Sequence, residues 1–184
     1  MKLSKSNSFR LTRWATIMVL TALATNVLVT RDAESQGESA RVPEPLRALY
    51  GTVQKEFPNV TDMTVQELRS LQDMSDNWVL IDVRPLEERR VSMIPGAISL
   101  EEWEQRKSSG RSPIVIVYCT IGYRSAATTR SLRERGIDAR NLAGGVLAWS
   151  HAGLEFVDGK TTTKRVHVYG RRWNILPTGY SGVW

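Results

Sequence analysis

The chain has a single cysteine, Cys119, and the residues after it, Thr120-Ile121-Gly122-Tyr123-Arg124-Ser125, have the make-up of a tight polar loop. The thiolate is the reactive form of cysteine, so the chemistry open to Cys119 turns on what stabilises negative sulfur. A helix is expected to begin at Arg124, and the first backbone N–H groups of a helix have no partner inside it. Aimed at the loop centre, with the helix dipole behind them, they favour an anion. Arg124 adds a permanent positive charge. The spacing therefore predicts a nucleophilic sulfur in a bowl open to solvent, walled by the amides from Thr120 to Ser125. The competing reading is an inert cysteine packed as a small apolar residue. It does not account for the succession of strand end, glycine, arginine and helix start.

Such a loop needs a strand before it and a helix after it. Ile114-Val115-Ile116-Val117 is a short β-branched run, apolar at every position. That is the pattern of a strand buried on both faces of a parallel sheet, and Pro113 is tolerated as its first residue. Arg124 to Arg135 reads as the helix, stopped by Gly136. The sulfur then sits at the carboxyl edge of the sheet, where open α/β folds place their ligands. Trp78-Val79-Leu80-Ile81-Asp82 is a second buried strand, with Arg84 two residues further on. Asp82 is not expected to act as a base, because a thiolate already formed needs none. Arg84 has two readings: part of the positive rim of the bowl, or a surface ion pair with Glu87 or Glu88. Gly136 to Leu142 supplies a last short strand. Gly144 and Gly145, which permit close backbone approach or positive φ, lead into a helix that carries Trp149 as a packing residue. Strands and helices in alternation make the expected class α/β, an open parallel sheet with helices on both faces.

These stretches resemble the rhodanese-like sulfurtransferases in their single-domain form. The resemblance rests on Cys119-x-x-Gly122-x-Arg124 before a helix, on the strand ending in Asp82-x-Arg84, on Ile94-Pro95-Gly96-Ala97-Ile98, and on Ala143-Gly144-Gly145 through Trp149; it covers residues 60–152. It implies that Cys119 takes a sulfane sulfur from a small donor such as thiosulfate and passes it to a thiol or cyanide acceptor. The sulfur is held meanwhile as a persulfide in a cradle of Thr120, Ile121, Gly122, Tyr123, Arg124 and Ser125, with Asp82 and Arg84 in support. It implies no cofactor and no metal. One departure is visible: the family usually has Gly-His before Ile-Pro-Gly-Ala, and this chain has Ser92-Met93. Cysteine-dependent phosphatases close a similar amide cradle with an arginine one position later. Arg124 lies five positions after Cys119, and the shorter ring encloses a smaller bowl, suited to one sulfur atom rather than a phosphate.

Composition bounds the rest. With 41% hydrophobic and 24% charged residues the chain is globular, not disordered as a whole. One cysteine cannot form an internal disulfide, and with only His151 and His167 beside it a metal cluster is not expected. The formal charge of +6 includes Lys2, Lys5, Arg10 and Arg13, with no acid among residues 1–24; without them it is +6 − 4 = +2. No run of Lys and Arg with interleaved aromatics points to nucleic acid.

Residues 1–30 read as a targeting or anchoring segment, with a basic start and an uncharged stretch from Trp14 to Thr30. Three readings stand: a secretory signal cleaved after Ala24, an uncleaved membrane anchor through residues 14–30, or an organellar transit peptide. The expected location is accordingly export, membrane attachment or, in a eukaryote, an organelle. Residues 31–59 should be a polar linker and then a helix after Pro45, with Leu46, Leu49, Val53 and Phe57 on one face, either packed on the domain or spacing it from what precedes. Thr64 and Glu67 form a capping box for a helix through Leu71. Residues 153–184 form an aromatic C-terminal extension with an Asp158-Gly159 hairpin turn and a short strand at Val166–Tyr169. That extension is either a tail folded over the core or a docking element for a protein partner. Two functions follow: a sulfurtransferase with two half-reactions on one cysteine, or a membrane-tethered persulfide carrier or redox-sensing module with no turnover of its own.

Overall fold

The β-branched run before Cys119 occupies the middle of a five-stranded parallel sheet. The strands are β1 (Asp62–Met63), β2 (Trp78–Asp82), β3 (Ile98–Ser99), β4 (Ile114–Tyr118) and β5 (Ala139–Leu142), in the spatial order β1-β5-β4-β2-β3. β4 pairs along its length with β2, from Trp78 opposite Ile114 to Asp82 opposite Tyr118, and on its other side with β5. A central strand has no solvated face, which is why every residue of it is apolar; Val115 to Tyr118 are fully excluded from solvent. Alternation sorts them onto two cores. Ile116 and Tyr118 join Leu68, Leu80, Leu142 and Leu147, while Val115 and Val117 join Ile81, Leu132 and Ala139.

This computed structural model describes residues 42–106, 112–159 and 161–184. The N-terminal segment with its export, anchor and transit readings lies outside them. Among the described residues no helix is long and apolar enough to cross a membrane. Among the described residues six α-helices flank the sheet: α1 (Glu44–Glu56), α2 (Val65–Met74), α3 (Leu86–Val91), α4 (Leu100–Gln105), α5 (Tyr123–Glu134) and α6 (Gly145–His151). The capping box of α2 forms as read, with the Glu67 N–H donating to Thr64 Oγ1 at 3.1 Å and the Thr64 N–H to the Glu67 carboxylate at 2.7 Å. Ser99 and Glu102 repeat the arrangement at the start of α4.

Both extensions pack on the domain. Of the two readings of α1, the spacer fails: Leu46 is in the main core, and Val53 and Phe57 pack with Ala126 of α5. At the other end β6 (Phe156–Val157) and β7 (Thr162–Thr163) form a hairpin across Asp158-Gly159, and β8 (Arg165–His167) pairs with β9 (Ser181–Val183). The strand expected to reach Tyr169 stops at His167, because Tyr169 turns into the left-handed region at φ 70. Val166 and Val168 are buried, Tyr180 donates to the Leu154 carbonyl at 2.8 Å, and the His151 ring meets the Ile175 carbonyl at 2.7 Å. Val42–Trp184 accordingly make one compact unit.

Candidate active site

Cys119 follows β4 directly, and α5 begins four residues later, at Tyr123. Gly122 makes the turn at φ 105, in a region open to glycine. Its N–H donates to Cys119 Sγ at 3.2 Å, and Ser125 Oγ lies 3.5 Å from the same sulfur. The base of the loop is tied to the start of α6, where the Val146 N–H donates to the Cys119 carbonyl at 3.0 Å and the Leu147 N–H to the Thr120 carbonyl at 3.3 Å. Two donors that a helix start leaves unpaired thereby hold the cysteine loop in place. The approach is close: a Cβ on Gly145 would lie 2.1 Å from the Cys119 carbonyl oxygen.

One expectation fails here. The bowl was expected to open to solvent, and Cys119 is only 1% exposed. Elements outside the expected domain close it in. The Tyr50 ring of α1 lies against Gly122, where a Cβ would come within 2.6 Å of it. The Tyr50 hydroxyl donates to Asp62, and burial together with that carboxylate holds the Tyr50 pKa well above the ordinary phenol range. Asn141 of β5 donates from Nδ2 to the Tyr50 oxygen at 2.9 Å and to Asp62 at 3.2 Å. With its amide hydrogens so committed, its Oδ1 faces the loop and accepts from Ser125 Oγ at 2.6 Å. A hydroxyl has one hydrogen, so Ser125 serves either Asn141 or a charged sulfur, and the network competes with Sγ for it.

The positive charge of the loop is also differently arranged. Arg124 donates to both carboxylate oxygens of Glu88, at 2.7 and 2.9 Å, and to Thr120 Oγ1 at 3.0 Å. Its charge is compensated rather than free. Burial by itself would lower the Arg124 pKa, but the Glu88 hydrogen bonds and the adjacent Cys119 sulfur raise it. Glu88 is 3% exposed; burial opposes its ionisation, and the pairing with Arg124 prevails and holds its pKa below the usual carboxylate value. The Tyr169 ring covers the Arg124 guanidinium at 5.6 Å.

Both readings of Arg84 are corrected. Its guanidinium is not on a rim and pairs with neither Glu87 nor Glu88. It is fully buried against Asp82, at 2.7 Å from Nη2 to Oδ2, and donates to the Ser92 carbonyl at 2.6 Å. Asp82 and Arg84 are two apart in sequence, so an extended chain brings their side chains to one side. The pair lies beneath Tyr118, with the guanidinium 5.7 Å from its ring. It supports the residue before Cys119 and does not reach the sulfur. Cys119, Thr120, Gly122, Arg124 and Ser125 do converge; Tyr123, 47% exposed, points outward against Phe57.

The family model for the rhodanese-like domain matches residues 64–152. The chain thus carries a rhodanese-like domain over just under half of its length. Among curated proteins it is 42% identical over 77 residues to the tRNA sulfurtransferase of Desulfurococcus amylolyticus, covering 42% of this chain and 16% of that protein. It is 28% identical over 104 residues to the adenylyltransferase and sulfurtransferase MOCS3-2 of Zea mays, covering 50% of this chain and 22% of that one. The chain thus spans under a quarter of the length of either relative. Among solved structures, the thiosulfate sulfurtransferase of Pseudomonas aeruginosa is 28% identical, with 64% of this chain and 23% of that chain covered and a TM-score of 0.49.

Several groups around the sulfur were not singled out from sequence: Glu88, Asn141, Tyr50, Asp62 and Tyr169. Three of them, Tyr50, Asp62 and Tyr169, lie outside the rhodanese-like domain match. Glu88 sits in Glu87-Glu88-Arg89-Arg90, a run that reads as a solvated helix face. Tyr50 lies one residue from the apolar set Leu46, Leu49, Val53 and Phe57, and a polar aromatic flanking such a face was the one available signal.

Proposed function

We propose that the protein is a sulfurtransferase that carries sulfane sulfur as a Cys119 persulfide, with thiosulfate as a competent donor. The observation that carries this reading is the sulfur itself: it sits at the carboxyl end of the central strand, before a helix start, with the Gly122 N–H on Sγ at 3.2 Å and Ser125 Oγ at 3.5 Å. The Gly122 N–H, fixed in a buried site, costs no reorganisation when charge appears on the sulfur. In the first half-reaction the thiolate attacks the outer sulfur of thiosulfate. The S–S bond of the donor breaks, sulfite leaves with the electron pair, and a persulfide remains. In the second, an acceptor attacks the outer sulfur and Cys119 leaves as the thiolate. As the persulfide forms, Ser125 turns its hydrogen from Asn141 to the anionic sulfur.

The burial of Cys119 favours a small first reactant. Once loaded, an S–S bond of about 2 Å carries the transferable atom beyond Sγ. Initial rates with thiosulfate and cyanide test the reading. Two half-reactions on one residue give parallel double-reciprocal lines, and Cys119→Ser abolishes turnover. Converging lines, or turnover surviving in Cys119→Ser, would overturn it.

A further inference from the structure

The strap from Thr161 to Trp184 carries Lys164, Arg165, Arg171 and Arg172 and no Asp or Glu. All four are exposed, and none forms a salt bridge among the described residues. Three lie instead over aromatic rings: Arg171 on Trp184, Arg172 on Trp173 and Lys164 on Tyr180, at 5.5 to 5.7 Å. The cations are thus positioned but not neutralised. The array is continuous with the reaction site, because Tyr169 meets Trp173 at 6.4 Å and covers Arg124 of the cysteine loop. Tyr169 and Trp184 are 61% and 53% exposed. Beside them Arg172 and Trp173 join Pro45, Leu49 and Ile175 around a cleft of about 280 Å³.

Exposed Tyr, Trp and Arg are the residue types that anchor protein interfaces. We propose that this strap docks the sulfur acceptor, and that the acceptor is a thiol on an acidic protein segment that seats an apolar side chain in the cleft. The inference rests on the sulfurtransferase reading and supplies its acceptor class. A protein is favoured over single-stranded nucleic acid because the cleft beside the cations is lined by the apolar Pro45, Leu49 and Ile175, which suit an aliphatic side chain. In the transfer, the acceptor thiolate attacks the outer sulfur of the Cys119 persulfide. The persulfide bond breaks, Cys119 retains the electron pair, and the acceptor becomes the persulfide, with no external oxidant or reductant.

The test uses the full chain and three fluorescent peptides, each with one cysteine and a leucine, flanked by glutamates, glutamines or lysines. Persulfide discharge is followed at low and high salt. The glutamate peptide is expected to discharge about tenfold faster than the glutamine peptide at low salt, with the advantage shrinking as salt rises. Arg171→Glu with Arg172→Glu is expected to transfer the preference to the lysine peptide, while discharge by cyanide stays unchanged. Equal rates for the three peptides, or a preference untouched by charge reversal, would refute the proposal, as would an oligoribonucleotide that displaces the glutamate peptide at far lower concentration than the peptide itself binds. Anisotropy with the cysteine of each peptide replaced by serine reads the surface without any chemistry. If loading by thiosulfate fails and the charge preference in binding persists, the sulfurtransferase reading falls and the docking surface stands; if loading succeeds and no preference exists in either assay, only the docking surface falls.

Discussion

Replacing Gly145 by alanine is expected to damage the reaction far more than a surface glycine change of equal backbone cost. Gly145 lies at φ 50, and its new Cβ would sit 2.1 Å from the Cys119 carbonyl oxygen and 2.9 Å from both the Cys119 carbonyl carbon and the Thr120 carbonyl oxygen. All three are backbone atoms, so no flexible side chain can yield. Ordinary contact requires the loop and α6 to part by about 1 Å, and such overpacking costs roughly 1–3 kcal/mol. The left-handed backbone adds about 1–2 kcal/mol for a residue with a Cβ. The Val146 N–H bond to the Cys119 carbonyl, 3.0 Å long, stretches with it. Misplacement of a reacting group by about 1 Å lowers a rate by about a hundredfold. Gly153→Ala is the control, since Gly153 shares the positive φ, at 76, and has open space around its Cβ position. Denaturant melts and single-turnover loading with thiosulfate are to be measured on both. Gly145→Ala should lose about 2–5 kcal/mol and about a hundredfold in loading, and Gly153→Ala about 1–2 kcal/mol with loading unchanged. If the two variants behave alike, the α6 start does not hold the cysteine loop in register.

Three further outcomes are expected. Glu88 has a folded pKa below its ordinary 4.5, so its stabilisation is full above pH 4.5 and is lost as the pH falls through the depressed value; melts of Glu88→Gln should lack that acid-side decline, and an identical profile in both proteins would show that the Arg124 pairing carries no linked stability. Tyr50→Phe keeps the ring on Gly122 and removes the hydroxyl between Asp62 and Asn141, so it should cost about 1–3 kcal/mol in a denaturant melt, and an unchanged midpoint would rule out the network as a stabiliser. Arg84→Met leaves Asp82 charged and buried without a partner, which should cost about 3–5 kcal/mol, and a Tm equal to that of the parent would contradict a structural role for the pair.

The strands and the cysteine loop were readable because their determinants are local. A strand excluded from water on both faces must be apolar throughout, as Ile114 to Val117 are, and a glycine at φ 105 leading into a helix is a short-range signal. The enclosure of the sulfur was not readable, because it comes from residues distant in sequence. Tyr50 reaches Asn141 across 91 positions and Thr120 reaches Glu88 across 32, and no periodicity encodes such a meeting. Arg84 shows a signal present but misjudged. Its spacing of two from Asp82 along an extended chain already put both on one side, and an arginine kept from water needs the carboxylate that position supplies.

The most direct measurement is the mass of the Cys119 peptide after incubation with thiosulfate and removal of excess donor. A gain of one sulfur atom on that peptide is expected, with its removal by cyanide as thiocyanate and no gain in Cys119→Ser. A Cys119 that reacts with a small alkylating agent but gains no sulfur from thiosulfate would contradict it.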